Sequence, residues 1–311
     1  MHTKTIFTFA SGLLALTLSA GYMTFNMSVV EDSKTWKKDR KEPDPDTPKG
    51  KKYFAHKKAE ENVNSLPYED AWITSYDGLK LHGRFYPNAN AKRIAILCHG
   101  YHGSTAGDFS FIFPMLKDDC EILAVDERSM GESEGKYITF GAKEKKDILL
   151  WAAWMNERNE KQLPVYLYGV SMGAAAVLMN ADQEIEGLKG IIADCGYTTM
   201  DRIIADVQKA WYKASLKPVR MALDFWCRIL ADFSMKEADA LTPLANAKYP
   251  VLFFHGADDR FVPPYHTKMN AEACASEHKE LFVENATHGS SAQMSPELYE
   301  KTLREFFAEH D

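Results

Sequence analysis

No C-x-x-C pair occurs in this chain; its five cysteines are scattered at Cys98, Cys120, Cys195, Cys227 and Cys274. An odd, dispersed set is no disulfide framework or zinc ribbon and reads as buried free thiols. There is no H-E-x-x-H and no clustered ligand set, so no metal is expected. No G-x-G-x-x-G follows the first long apolar strand, which disfavours a dinucleotide enzyme, and no cofactor is expected. Positive charge is in deficit, 37 Lys and Arg against 44 Asp and Glu, and no aromatic-interleaved basic patch marks the body, so nucleic acid is not an expected partner. Internal repeats are also absent. What remains is 311 residues, 45% of them hydrophobic, enough for a sizeable core in one large domain or two ordinary ones.

Charge is missing altogether from Ile6 to Val30. A run of that length predicts a bilayer-crossing helix over residues 1–30. A signal peptide cut near Ser19-Ala20-Gly21 is the competing reading, disfavoured because the apolar run continues past those small residues. A helix of the folded core is set aside because the run is terminal. Residues 31–65 are charged and broken by Pro43, Pro45 and Pro48, the composition of a solvated linker. The catalytic body is expected over 66–311.

Within that body short apolar runs alternate with helical patterns. Ala71–Ser75 and Leu79–Tyr86 flank Tyr76-Asp77-Gly78 as a hairpin. Arg93–Cys98, Glu121–Val125 and Val165–Tyr168 read as buried strands, Gly190–Ala193 as the next strand, and Val251–Phe254 and Leu281–Val283 complete the sheet. Helices are expected over Phe109–Leu116, Ala142–Asn156 and 296–310. Strands apolar on both faces, alternating with helices, mean a mostly parallel sheet in an α/β protein, with ligands at the carboxyl ends of the strands. Two further amphipathic helices, Met200–Ala214 and Val219–Phe233, break the rhythm and predict an inserted helical cap over about 199–249.

One stretch carries chemistry. Val165-Tyr-Leu-Tyr is followed by Gly169-Val170-Ser171-Met172-Gly173, and then by small helix formers. A strand must turn sharply into a helix with Ser171 at the bend, its hydroxyl exposed and the Met172 amide at the helix N-terminus. A serine nucleophile needs a base, and the base an orienting acid. His288, in the Gly-containing loop after the last strand, is the candidate base. The preceding strand ends in His255-Gly256-Ala257-Asp258-Asp259, where either aspartate could hold the imidazole. Asp194, which ends the strand after Ser171, is the runner-up acid.

The motifs H-G-Y-H-G-S, D-E-R-S-M-G-E-S-E-G, G-V-S-M-G, H-G-A-D-D-R-F-V-P and T-H-G resemble those of α/β-hydrolase-fold serine hydrolases. The branch they resemble comprises bacterial esterases and serine-aminopeptidase-like proteins with an N-terminal membrane segment. The resemblance covers about Tyr68 to Phe307. It implies the α/β-hydrolase fold, Ser171, Asp259 and His288 as catalytic residues, and the backbone N–H groups of Tyr101 and Met172 as the oxyanion hole. Tyr101 would also wall the acyl site. It assigns the acid to Asp259, four residues after the motif histidine, over Asp258. His99, Asp126 and Arg128 match positions expected to shape loops. The implied activity is hydrolysis of a small-molecule acyl ester, with a short-peptide or thioester substrate as alternatives and a tethered, catalytically silent binding module as the non-enzyme reading. The uncharged segment after Lys4 resembles the signal-anchors of exported relatives, which implies a single-pass anchor with the catalytic domain outside the cytoplasm. The basic residues Lys34, Lys37, Lys38, Arg40 and Lys41 argue for the opposite orientation.

Overall fold

The computed structural model describes residues 2–31 and 42–311. Its helices are α1 (His2–Ser28), α2 (Pro48–Asn64), α3 (Thr105–Asp108), α4 (Phe113–Leu116), α5 (Glu144–Asn156), α6 (Met172–Leu178), α7 (Met200–Tyr212), α8 (Lys217–Leu230), α9 (Leu241–Leu244), α10 (Tyr265–Ala273), α11 (Ser291–Met294) and α12 (Pro296–His310). The strands are β1 (Glu69–Thr74), β2 (Lys80–Tyr86), β3 (Arg93–Cys98), β4 (Cys120–Val125), β5 (Val165–Val170), β6 (Leu188–Asp194), β7 (Val251–Gly256) and β8 (His278–Val283). Among the described residues they form one eight-stranded sheet in the order β1-β2-β4-β3-β5-β6-β7-β8. The β1–β2 and β2–β4 pairings are antiparallel and the others are parallel.

The apolar runs become central strands because both faces are covered. Every residue of β3, β5 and β7 is buried. Alternation then sorts side chains between two cores. Ile94, Ile96, Val165 and Leu167 join a layer with Trp151 of α5, the small residues of α6 and the cap. Ala95, Leu97, Tyr166 and Tyr168 join Phe109, Phe113, Leu303 and Phe307 on the other face. Of the helix expected over Phe109–Leu116 only α4 forms; Phe109–Ile112 is a turn that separates it from α3.

The membrane-spanning, extracytoplasmic reading of residues 1–30 is overturned. Among the described residues no helix is long and apolar enough to cross a membrane. Thr17, Ser19, Thr24, Asn26 and Ser28 dilute the apolar character of α1, and its second half packs into the domain. Phe25 and Val29 belong to the core. The Trp226 indole N–H donates to the Leu18 carbonyl at 2.9 Å, and its ring meets Tyr22 edge-on. Gly21 allows this crossing, since a Cβ there would lie 2.5 Å from Ala222 Cβ on α8. Past its end the chain pairs with the loop before α5, Ile138 N–H donating to the Val29 carbonyl at 2.8 Å.

The linker reading of 31–65 also needs revision where residues are described. Pro48–Asn64 is a helix, opened by the Thr47 hydroxyl, which accepts from Gly50 N–H, with Pro48 in its first turn. The Thr47-Pro48 pair was a legible start signal masked by the surrounding charge. The basic residues Lys34 to Lys41 lie outside the described residues.

Candidate active site

The turn after β5 is built by exclusion. A Cβ on Gly169 would stand 2.3 Å from the backbone of Gly173, and one on Gly173 would stand 2.0 Å from the Cys98 carbonyl oxygen. Only glycine lets β5, α6 and β3 approach so closely. Between them Ser171 adopts φ 56°, ψ −111°, a conformation rare for any residue with a side chain. Its N–H donates to the Asp194 carbonyl at 2.8 Å, which holds the bend against β6.

The loops after β7 and β8 reach the same point. His288 Nδ1 lies 2.7 Å from Asp259 Oδ2, and its Nε2 lies 2.8 Å from Ser171 Oγ. A carboxylate can only accept, so Nδ1 carries the proton and Nε2 is left as an acceptor for the serine hydroxyl. Phe261 packs edge-on against the imidazole. Asp259 is buried, and its second oxygen accepts from the N–H groups of Phe261 and Val262 at 2.8 and 3.0 Å. Burial opposes its charge, but the hydrogen bonds from His255 and His288 outweigh burial and hold the carboxyl well below the usual range.

The other aspartates go elsewhere. Asp258 is exposed and contributes its backbone N–H to the Ala286 carbonyl. Asp194 accepts from the Tyr299 hydroxyl at 2.9 Å, and burial raises its pKa. His99 ties two loops, donating through Nδ1 to the Gly100 carbonyl and accepting Glu127 N–H at Nε2. Asp126 binds His82, while Arg128 spans Asp147 and Asp77. These three groups brace the rim.

The β3 loop runs directly beside the serine: a Cβ on Gly100 would lie 3.1 Å from Ser171 Cβ. Asp108 Oδ2 accepts Gly100 N–H at 2.6 Å and so fixes the segment that continues into Tyr101. Met172 opens α6 on the other side of Ser171.

Two chambers meet at Ser171. One, of about 320 Å³, is apolar and lies between α1 and the cap, lined by Ala20, Met27, Tyr101, Ile204, Val207 and Trp211 among others. Sequence reasoning missed the share of α1 in this wall, because nothing in an uncharged run says which surface covers it. The Tyr101 hydroxyl donates to the Ser28 carbonyl at 2.9 Å, which joins the β3 loop to the end of α1. The expected cap is formed by α7 and α8, but Phe225 and Ile229 are exposed rather than packed. The second chamber is larger and less apolar than the first and opens beside His288. A further group missed from the sequence is Cys195. Its sulfur, one Asp259 oxygen and one His288 nitrogen lie within 4.8 Å of one another, a set able to hold a thiophilic cation. Burial pushes the thiol well up, so it backs the site in its neutral form.

A family profile described as "Serine aminopeptidase, S33" matches residues 89–223. The YqkD protein of Bacillus subtilis is 26% identical over 235 residues, covering 75% of this chain and 77% of the relative. The α/β hydrolase domain-containing protein WAV2 of Arabidopsis thaliana is 26% identical over 257 residues, 79% of this chain and 80% of its own length. The solved structure of the Pyrococcus furiosus esterase Pf2001 superimposes with a TM-score of 0.63 at 22% identity, covering 80% of this chain and 92% of that one. The chain is a hydrolase of the α/β-hydrolase fold. In this hydrolase the profile match takes in β3 to β6, including the β3 loop and the Ser171 turn, and stops before Asp259 and His288.

Proposed function

We propose that the hydrolase cleaves carboxylic esters of apolar acids through an acyl-enzyme on Ser171. The observation that carries this is the imidazole of His288 hydrogen-bonded to both Ser171 Oγ and Asp259 at the mouth of an apolar chamber. As the serine attacks the ester carbonyl, Nε2 of His288 takes its proton. Asp259 keeps the imidazole in the required tautomer and stabilises the cation that forms. The Tyr101 and Met172 amides receive the tetrahedral oxyanion, each such donor being worth on the order of 10²–10³ in rate. His288 then returns the proton to the leaving oxygen, the acyl group stays on the serine, and a water activated by the same imidazole releases it. A peptidase reading has less support. Asp108 is the one carboxylate lining either chamber among the described residues, and its Oδ2 accepts Gly100 N–H, so a lone acid stands where a cluster would be needed to hold a substrate amine.

Labelling with a fluorophosphonate probe tests this. The wild-type protein is expected to be modified at Ser171 and Ser171→Ala to stay unlabelled. A wild-type protein inert to the probe would sink the reading and leave a silent binding scaffold. On this reading the catalytic unit includes α1 and α2 and does not begin at residue 66.

The chamber between α1 and α7 makes a separate prediction about acyl length. Filling it from α1 with Ala20→Trp is expected to lower kcat/KM for p-nitrophenyl octanoate by about ten-fold or more relative to the acetate, since each buried methylene contributes about 0.8 kcal/mol. Equal effects on both esters would show that the acyl chain lies elsewhere.

A further inference from the structure

Resting on that reading, we propose that the ester's leaving group carries an anion, phosphate or carboxylate, received by Lys52 and Lys49 at the start of α2. The two chambers divide the substrate at Ser171. The apolar chamber is lined by no charged side chain. The other, of about 610 Å³, is lined by His288, Thr287 and Gln293 on one side and by Lys49, Lys52 and His56 on the other. In acyl transfer the leaving atom must face the imidazole that protonates it. The chamber walled by His288 is therefore the leaving-group side, and its basic wall belongs to α2.

That wall is held in place. Thr47 caps the helix, His56 Nε2 bonds the Gly107 carbonyl at 2.9 Å, and Val63 is buried at the far end. The Lys52 carbonyl accepts from the Gln293 amide at 3.1 Å, pinning this turn to α11. The Lys52 ammonium stands 3.5 Å from the hydroxyl of Thr287, the residue before His288. Among the described residues neither Lys49 nor Lys52 forms an ion pair. Asp108, the sole acid lining this chamber among the described residues, accepts Gly100 N–H through Oδ2 and pairs with neither lysine. Lys52 is half-buried, and desolvation lowers its pKa. A lysine is a point charge, so phosphate and carboxylate fit it alike, whereas a neutral alcohol leaves it unpaired.

The test compares decanoyl esters of glycerol, glycerol 3-phosphate and glycerate on the full chain. The wild-type enzyme is expected to favour one or both anionic esters by about ten-fold or more in kcat/KM over the neutral one, a preference that narrows in 0.5 M NaCl. In the double variant Lys49→Met, Lys52→Met the anionic-to-neutral ratio should fall to about one, and Lys52→Arg should retain most of it. Equal wild-type turnover of all three esters, or a ratio that survives the double substitution, overturns the inference while leaving ester hydrolysis standing. Should no decanoyl or p-nitrophenyl ester be cleaved, the ester reading falls with it.

Discussion

Ser171→Ala is expected to lower kcat for a p-nitrophenyl acyl ester by roughly 10⁶-fold, because nucleophile and base act as a unit and removing one forfeits the covalent route. The fold should survive. The side chain of Ser171 makes one hydrogen bond, to His288, and the backbone bend is set by Gly169 and Gly173 together with the N–H bond to the Asp194 carbonyl. An unchanged far-ultraviolet spectrum and a thermal midpoint within a few degrees would accompany the loss. A variant that turned the ester over like wild type would remove Ser171 from the chemistry and with it the proposed mechanism.

The second large effect distinguishes two neighbouring acids. Asp259→Asn is expected to cost about 10³–10⁴-fold in kcat, whereas Asp258→Asn should change it by less than about two-fold. The reason lies in the donors around position 259. The N–H groups of Phe261 and Val262 both point at Oδ1 of Asp259, so a substituted amide would keep its oxygen there and turn its NH₂ toward His288. Nδ1 would then have to accept, the proton would move to Nε2, and Nε2 could no longer take the Ser171 proton. Equal, small losses at both positions would defeat the assignment of Asp259. The pH dependence has a defined sign. The folded pKa of Asp259 is depressed, so its contribution to stability is fully present above the ordinary carboxylate range and is lost only as pH falls through the lower folded value. An acid limb in the rate profile above that range therefore belongs to another group.

The parts of the site that were legible in the chain are those decided by local sterics. The pentad around Ser171 could be read as a strand–turn–helix because the glycines, the apolar strand and the small helix residues are contiguous; a larger residue at 169 would meet the Gly173 backbone within the same turn, whereas the clash at 173 is with Cys98 of β3. The order Ser171, Asp259, His288 was legible from the strand rhythm: Ser171 and Asp259 follow strands buried along their whole length, and His288 follows the last strand, the partly exposed edge strand β8. Asp258 and Asp259 could not be separated by residue type, and the resemblance alone favoured the second. In the fold the difference is orientation: one carboxylate is exposed, and its neighbour turns inward onto two backbone amides and two histidines.

By itself the sequence determined the α/β class and the strand–turn–helix at Ser171, and it named the groups proposed for acyl transfer, because strand burial and turn sterics act over a few residues. It did not determine where helices α1 and α2 go. An uncharged helix has the same composition whether lipid or protein covers it, and the surface that covers α1, with Ala222 and Trp226 of α8, lies about two hundred residues further along. A lysine-rich helix likewise reads as a solvated tether until Thr287 and Gln293 are seen beside Lys52. Only the tertiary structure decided that these segments wall the two chambers at Ser171, since burial and the placement of charge are properties of surfaces brought together, and sequence distance carries no record of them.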